Sequence, residues 1–521
     1  MRMIRLRPLN QNDEVIWQSR ERQGLAVQAE IDNFTIRSAW SLILSPGGFQ
    51  KLNLVLWGVF AYVGAQLVVG LLVSRKISTE ADYLLGGRRF GYGLLVMTIF
   101  ATWFGAETCI GASGEVYAHG LAGARMDPFG YTICLLLMGL FIAAPLWRKQ
   151  YTTLADLFRD RFSPGVERLS VILLVPTSVM WAGAQIRAFG SVLSAASEMT
   201  LDIAIALSAA VVIIYTARGG MIADACTDFI QGIVLILGLL IISGYIGYEY
   251  ASGNFTHLDS SRFNLAYAQE ESPLAQMESW CIPIIGSLLS QELISRTLAA
   301  RSPEVARNSA LLAGLLYFCV GMIPVFLGLI GPAILPGLEI PEHFLPELAQ
   351  HYLNPFLFVL FAGALISAIL STVDSALLAA GGLTSHNLII PLMPGLSEKK
   401  KVMISRGSVF FFGLVSYFLA VSADGVHDLV EEASAFGSTG IFIVVFFGLF
   451  TRYGGVVSGY ATLIVGILVY VSGSYVAQAR YPYLVSLGAA LATYLVIGAW
   501  EMSREKVILP ALDSQPAREE T

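Results

Sequence analysis

The chain has 521 residues, of which 55% are hydrophobic and 13% are charged, and its mean hydropathy is +0.66. Soluble domains average about 25% charged residues, so this composition excludes a soluble enzyme or binding module and predicts a polytopic membrane protein. The formal net charge of −6 argues against a nucleic-acid partner.

The two ends of the chain differ from its apolar middle. Residues 1–50 contain scattered basic residues, no cleavable signal pattern and no clear fold. We interpret them as an N-terminal extension or as the result of a start codon assigned too far upstream. Residues 51–501 form the predicted transmembrane domain, and residues 502–521 form a predicted cytoplasmic tail.

Apolar segments of spanning length recur about thirteen times, which predicts an all-α polytopic fold. They lie at 54–73, 91–113, 127–147, 168–196, 201–216, 223–250, 281–297, 309–331, 357–385, 404–422, 431–450, 455–476 and 484–501. Lys and Arg concentrate in alternate loops, whereas the opposite loops hold Arg125, Arg262 and Arg480. The positive-inside rule then predicts an outside amino terminus and a cytoplasmic carboxyl terminus in a cell (plasma or inner) membrane.

The segment 91–113 carries Glu107 in its middle, with Gly105 and Gly111 close by. Glycine weakens a helix by about 1 kcal/mol relative to alanine, and a carboxylate within the bilayer is costly unless it is matched. These residues predict a helix unwound near Phe104–Glu107, which would release carbonyl oxygens for a cation. The alternative is a glycine-rich packing face in which a hydroxyl binds Glu107.

The segment 281–297 is also predicted to be interrupted, because Pro283 and Gly286 precede a polar run from Ser287 to Glu292. Two interrupted helices five helices apart point to inverted repeats, here 91–250 and 281–450, with a binding site between them.

The turn at Gly219–Gly220 leads into a helix that carries Asp228 one to two turns from its start. Asp228 could cap the helix end or bind a second ion near Asp374, and the sequence leaves both interpretations open.

Residues 361–387 are predicted to form a buried helix. Ala368, Ser371, Thr372 and Ser375 lie on one stripe of it, with Asp374 at its edge, so the stripe carries several oxygen-bearing side chains. Oxygen donors without a nearby positive charge suit a hard cation such as Na⁺. The alternative is a helix-packing interface of small residues, in which each hydroxyl bonds to a backbone carbonyl of its own helix.

Three stretches together resemble the sodium:solute symporter family: TWFGAETCIGASGEVYAHG, YTARGGMIADACTDFIQG and AILSTVDSALL. The resemblance spans about residues 54–500 and implies a five-plus-five inverted-repeat core with extra helices and sodium-coupled import of a small solute. For the sodium site it implies backbone oxygens of Ala101, Phe104 and Ala368 with the side chains of Ser371 and Thr372. The second sodium site of some members maps onto Asp228 and, in this chain, Asp374.

Within the family, the stretches TWFGA, DPFGYTICLLLMGLF, VMWAGAQIRAFG and RTLAARS are most similar to the high-affinity choline transporter branch. The resemblance to that branch implies that Trp103, Tyr131 and Trp181 form an aromatic cage around a quaternary ammonium group. Cation–π attraction contributes about 2 kcal/mol per desolvated ring. Glu107 and Gln291 complete the predicted substrate set.

The chain also departs from that branch. Ser290 stands where the branch has a tryptophan of the aromatic cage. The segment LVEEASAFG at 429–437 lacks a second tryptophan that the branch would have there. Arg187 replaces a residue that is small in the branch. The resemblance therefore implies sodium coupling more firmly than choline specificity.

The first substrate candidate is an amine or quaternary ammonium compound, and the alternatives are an amino acid, a monocarboxylate held by Arg187, or a sugar. A transporter-like membrane sensor is the alternative of another class. The His and Cys residues show no metal-ligand or catalytic spacing, so we expect neither an enzyme nor a cofactor beyond Na⁺ as coupling ion. The expected partners are the small-molecule substrate, Na⁺ and the lipid bilayer.

Overall fold

The computed structural model describes residues 61–513, except 63, 67, 70–71, 74–76, 196–198, 254–259, 266–271, 339 and 424. The predicted extension 1–50, most of the predicted first span and the last residues of the tail lie outside the described residues.

The described residues form eighteen α-helices joined by short turns. In chain order they are α1 Glu80–Leu85, α2 Tyr92–Trp103, α3 Ala112–His119, α4 Tyr131–Leu137, α5 Ala143–Arg148, α6 Ala155–Arg161, α7 Pro164–Ala195, α8 Leu201–Ala251, α9 Pro273–Cys281, α10 Gln291–Ala299, α11 Pro303–Ile334, α12 Phe344–Tyr352, α13 Pro355–Leu383, α14 Glu398–Ser422, α15 Val426–Ala435, α16 Ser438–Phe450, α17 Val456–Val471 and α18 Pro482–Asp513. Wider π-helical turns lie directly before α3, α4 and α5 and directly after α13 and α17. Another, Ile282–Gly286, lies between α9 and the break that precedes α10.

Nine helical segments among the described residues are long and apolar enough to cross a membrane, and α2 is a shorter apolar helix. The predicted number, thirteen, is larger for three reasons. The first predicted span is mostly outside the described residues, and segments 91–113 and 281–297 are broken into pieces. The two predicted spans on either side of Gly220 are counted here as one segment, Leu201–Ala251, although a non-helical turn at Gly220 divides it.

The tight turn predicted at Gly219–Gly220 is confirmed as a non-helical point within α8, where Gly220 has φ 62° and ψ 177°. A Cβ atom at Gly220 would also lie 2.7 Å from the ring of Tyr83. Glycine is therefore required both by the positive φ and by the close packing of α1.

Both predicted interruptions are confirmed. Helix α2 ends at Trp103, and Phe104 has the non-helical values φ −95° and ψ 69° before a π-helical turn starts at Glu107. A second break separates the π-helical turn Ile282–Gly286 from α10. A third break, between α15 and α16, was not predicted, and there Gly437 adopts φ 70°.

Helix α13 lies at the centre of the bundle, because every residue from 361 to 383 is buried. It packs against α7, α8 and α14, and against α2 and α10 near their breaks. Its polar stripe therefore faces protein and not lipid, as membrane-buried oxygens require.

Candidate functional site

The break in α2 frees two carbonyl oxygens, because side chains take the amides that would otherwise bind them. Gly105 N donates to Oε1 of Glu107 at 3.3 Å, and Ala106 N donates to Oε1 of Gln185 at 2.9 Å. In a continuous helix these two amides would bond to the carbonyls of Ala101 and Thr102. Those carbonyls are therefore available to another partner.

Helix α13 supplies that partner. The Ser371 hydroxyl lies 2.6 Å from the Ala101 carbonyl oxygen, and the Thr372 hydroxyl lies 2.9 Å from that of Thr102. The same hydroxyls lie 2.9 and 3.1 Å from the Ala368 carbonyl oxygen. The hydroxyls donate to these carbonyls here, and the two helix segments together present neutral oxygens of the kind that hard cations prefer.

Four of the five predicted sodium ligands are thus brought together: Ala101, Ala368, Ser371 and Thr372. The fifth, Phe104, is the first residue after α2. Gly105 lies between this cluster and Glu107 and leaves no room for a Cβ atom. The sequence does not predict the contribution of Gln185, because it comes from α7, far along the chain.

A buried charge cluster lies on the neighbouring face of α13. Arg296 donates to Oδ2 of Asp224 at 2.6 Å and to Oδ2 of Asp228 at 3.3 Å, and it also bonds to the Ser375 hydroxyl. Asp374 bonds instead to Thr216 of α8. The two predicted second-ion residues, Asp228 and Asp374, therefore belong to one region but have different partners.

Three carboxylates share this region with one guanidinium, and each keeps one buried oxygen without a hydrogen-bond partner: Oδ1 of Asp224, Oδ1 of Asp228 and Oδ2 of Asp374. Asp224 and Arg296 were not among the predicted site residues. The spacing of four between Asp224 and Asp228 puts both on one helix face, a signal that could have found Asp224.

The three predicted cage aromatics form a compact trio. The ring centroids of Trp103, Tyr131 and Trp181 lie 6.1 to 6.2 Å apart, and all three side chains are buried. The Tyr131 hydroxyl lies 3.2 Å from that of Ser434. These distances fit mutual aromatic packing, and the edges of the trio can also form a wall of a ligand site.

Two other predicted substrate residues differ in their surroundings. Oε2 of Glu107 accepts a hydrogen bond of 2.6 Å from Gln185, which places it at the α2 break. Gln291 is not brought to the aromatic trio, since it accepts from the Leu154 amide and donates to Ser295. Arg187, the predicted alternative for holding a carboxylate, donates to the Ala420 carbonyl at the end of α14.

A small cavity of about 20 Å³ lies beside Trp181, between α7, the break before α10 and the break between α15 and α16. Its polar lining includes Ser290, Glu292 and Ser434. A much larger cavity of about 670 Å³, the vestibule, is lined by α7, α12, α13 and the start of α15. The vestibule lies at the predicted outer end.

A polar network joins several helices at the predicted cytoplasmic end. Asn387 donates to Asp156 and to Glu167 at 2.8 Å each, and His386 lies 2.8 Å from Oε1 of Glu80. Burial opposes ionisation of Asp156, but hydrogen bonds from His386 and from backbone amides lower its pKa below the ordinary value. The network joins α1, α6, α7 and the end of α13.

A profile of the sodium:solute symporter family matches residues 83–460. The chain is 28% identical over 419 residues to high-affinity choline transporter 1 of Torpedo marmorata, which covers 75% of this chain and 70% of that protein. It is 23% identical over 425 residues to sodium-coupled monocarboxylate transporter 2 of Bos taurus, covering 78% and 66% of the two chains.

The fold is similar to that of a Na⁺-coupled sialic acid symporter solved in a substrate-bound outward-open state. The TM-score is 0.72 at 16% sequence identity, and the match covers 86% of this chain and 97% of that one. This similarity confirms the predicted all-helical symporter fold.

Proposed function

Because the chain belongs to the sodium:solute symporter family, we propose that it couples inward movement of Na⁺ to import of a small organic cation, an amine or a quaternary ammonium compound. The family match makes it a multi-pass membrane transporter and not an enzyme. A membrane potential supplies about 2.3 kcal/mol per charge per 100 mV, which is enough to drive uphill uptake.

The sodium ligands in this proposal are the backbone oxygens of Ala101, Phe104 and Ala368 and the side chains of Ser371 and Thr372. The observation that carries the proposal is the approach of the Ser371 and Thr372 hydroxyls to 2.6 and 2.9 Å from carbonyls that the α2 break frees. Na⁺ bound there would tie α2 to α13, and its release would let the two segments separate. That is how ion binding could select one state of the carrier.

Asp228 and Asp374 are the proposed ligands of a second ion. In support, each keeps a buried oxygen without a hydrogen-bond partner, although Arg296 already occupies one side of Asp228. If all three carboxylates are ionised, the guanidinium balances only one of their charges, and a further positive charge would be stabilised.

A cationic substrate is supported by the charges around the aromatic trio. Glu107 and Asp127 are both buried, and among the described residues neither forms an ion pair. Arg187 donates to a backbone carbonyl of α14, which weakens the alternative of a monocarboxylate substrate. The trio of Trp103, Tyr131 and Trp181 would add cation–π attraction.

The proposed orientation has the amino terminus outside and the carboxyl terminus cytoplasmic. The vestibule then opens to the outside, and the network around Asn387 closes the inside, as expected of an outward-facing carrier.

The double variant Ser371→Ala/Thr372→Ala tests the sodium proposal. We expect it to abolish uptake of radiolabelled ethanolamine and choline driven by an inward Na⁺ gradient, while the protein still reaches the membrane, because two ion ligands are lost. Ser367→Ala is the matched control, since Ser367 lies one turn earlier on α13 and its hydroxyl bonds to the Gly363 carbonyl and the Tyr62 hydroxyl, and not to a carbonyl of α2. Unchanged sodium dependence in the double variant would refute the proposal.

A further inference from the structure

Glu292 is a buried carboxylate to which the proposed function gives no role. It is only 7% exposed, and it lines the cavity beside Trp181. Part of its carboxyl group is satisfied, since it interacts with the Ser178 hydroxyl, its own backbone N–H and the Ser290 hydroxyl, and Arg296 attracts its charge. Its Oε1 atom has no hydrogen-bond partner.

A purely structural role for Glu292 would be to balance the partial positive charge at the amino end of α10, where acidic residues are favourable. That role needs only the satisfied part of the carboxyl group. A buried charged acceptor without a partner is costly, so Oε1 is an atom that a bound donor would stabilise.

Its neighbours favour a donor that is also a cation. The cavity is lined by the aromatic residues Trp181 and Phe436 and by Ser287, Ser434 and Ser438. Ser287 donates to Ser434, and Ser438 donates to the Ala435 carbonyl, so the hydroxyls of Ser287 and Ser438 keep lone pairs that can accept. Ser434 donates to the Val430 carbonyl and already accepts from Ser287 and Tyr131. Aromatic residues, two hydroxyl acceptors and one carboxylate oxygen match an ammonium group that carries N–H bonds.

We propose that Glu292 is a specificity-determining residue that selects a protonated amine with N–H donors over a fully methylated ammonium. This inference rests on the proposed function and narrows its substrate class. A quaternary ammonium has the same charge but no N–H, so it would bury Oε1 of Glu292 without a partner. A primary ammonium can donate to Glu292 and to the hydroxyls at once.

The cavity of about 20 Å³ has room for little more than a water molecule, so a substrate must displace its walls. Two of those walls contain the backbone breaks at Ser290 and at Phe436–Gly437, where the backbone leaves helical φ and ψ values. Opening at these breaks would enlarge the cavity next to Glu292.

The test is a methylation series on the purified full-length protein. Ethanolamine, N-methylethanolamine, N,N-dimethylethanolamine and choline keep one charge and one hydroxyl group but lose an N–H at each step. The readout is the concentration of each that gives half-maximal thermal stabilisation in Na⁺ buffer, with K⁺ buffer for comparison. We expect ethanolamine to bind about tenfold or more tightly than choline.

In Glu292→Gln we expect that preference to shrink to about twofold or less, because the charged acceptor is gone. Glu304→Gln, at the exposed start of α11, is the charge-matched control and should keep the wild-type order. If Glu292→Gln does not fold, the order of the four affinities in the wild-type protein decides for or against the inference.

Choline binding as tightly as ethanolamine in the wild type, or an unchanged preference in Glu292→Gln, would overturn the inference. Stabilisation by Na⁺ without binding of any of the four compounds would also overturn it and leave the sodium proposal standing. Absence of any difference between Na⁺ and K⁺ would instead count against the proposed function.

Discussion

A Cβ atom at Gly105 would lie 2.6 Å from the Thr372 hydroxyl oxygen and 2.6 Å from Oε2 of Glu107. Real Cβ atoms do not approach oxygens that closely, so a larger residue would displace the Thr372 hydroxyl and the Glu107 carboxylate from these positions. The absence of a side chain at this position allows hydroxyls of α13 to reach the carbonyls of Ala101 and Thr102.

We therefore predict that Gly105→Ala raises the Na⁺ concentration needed for half-maximal thermal stabilisation by about tenfold or more. The matched control is Gly93→Ala on α2, the helix that ends just before Gly105, where a Cβ atom would meet nothing within 4 Å. An identical Na⁺ response in both variants would show that the close approach at Gly105 does not matter for ion binding.

Adjacent residues on α10 show what sequence reasoning could and could not find. Gln291 was predicted to bind substrate, yet it faces the Leu154 amide, whereas Glu292 lines the cavity beside Trp181. Consecutive helical residues point about 100° apart, so Gln291 and Glu292 have different surroundings. Sequence located the segment, but only packing decides which side chain faces the cavity.

At the scale of helices, α8, α10 and α13 are joined by one buried guanidinium. Arg296 of α10 contacts Asp224 and Asp228 of α8 and Ser375 of α13, and it is fully buried. Removing one partner of such a cluster leaves buried charge without compensation, which costs about 3–5 kcal/mol.

We predict that Arg296→Gln lowers the melting temperature of the purified protein strongly, in line with that cost. The exposed Arg301→Gln should change stability by no more than about 0.5 kcal/mol. Adding Asp224→Asn to Arg296→Gln should recover part of the loss, because one unpaired charge disappears. Equal melting temperatures for the two arginine variants, or a further loss on adding Asp224→Asn, would contradict this account.

The helix breaks were predictable to different degrees. The break after Trp103 was visible because Gly105 and Glu107 both oppose a buried helix. The break at Phe436–Gly437 was missed because the surrounding segment is apolar enough to read as one span, and a single glycine is a weak signal. Contacts such as Gln185 with Ala106 join distant segments, and no local pattern reveals them.

At the scale of the whole molecule, hydropathy predicted the membrane class and most of the spans, because lipid exposure imposes length and composition on each helix separately. The oxygen stripe of α13 was visible for the same reason, since polar groups in the bilayer stand out. The partners of that stripe depend on how the helices pack. The vestibule at one end and the network around Asn387 at the other are likewise properties of the assembled bundle.

Equilibrium binding of radioactive Na⁺ to the purified protein tests the central claim most directly, because it requires no knowledge of the substrate. The account predicts saturable binding by the wild type and by Ser367→Ala, and loss of at least one bound ion in Ser371→Ala/Thr372→Ala. Equal saturable binding by the wild type and the double variant, with both folded, would contradict it.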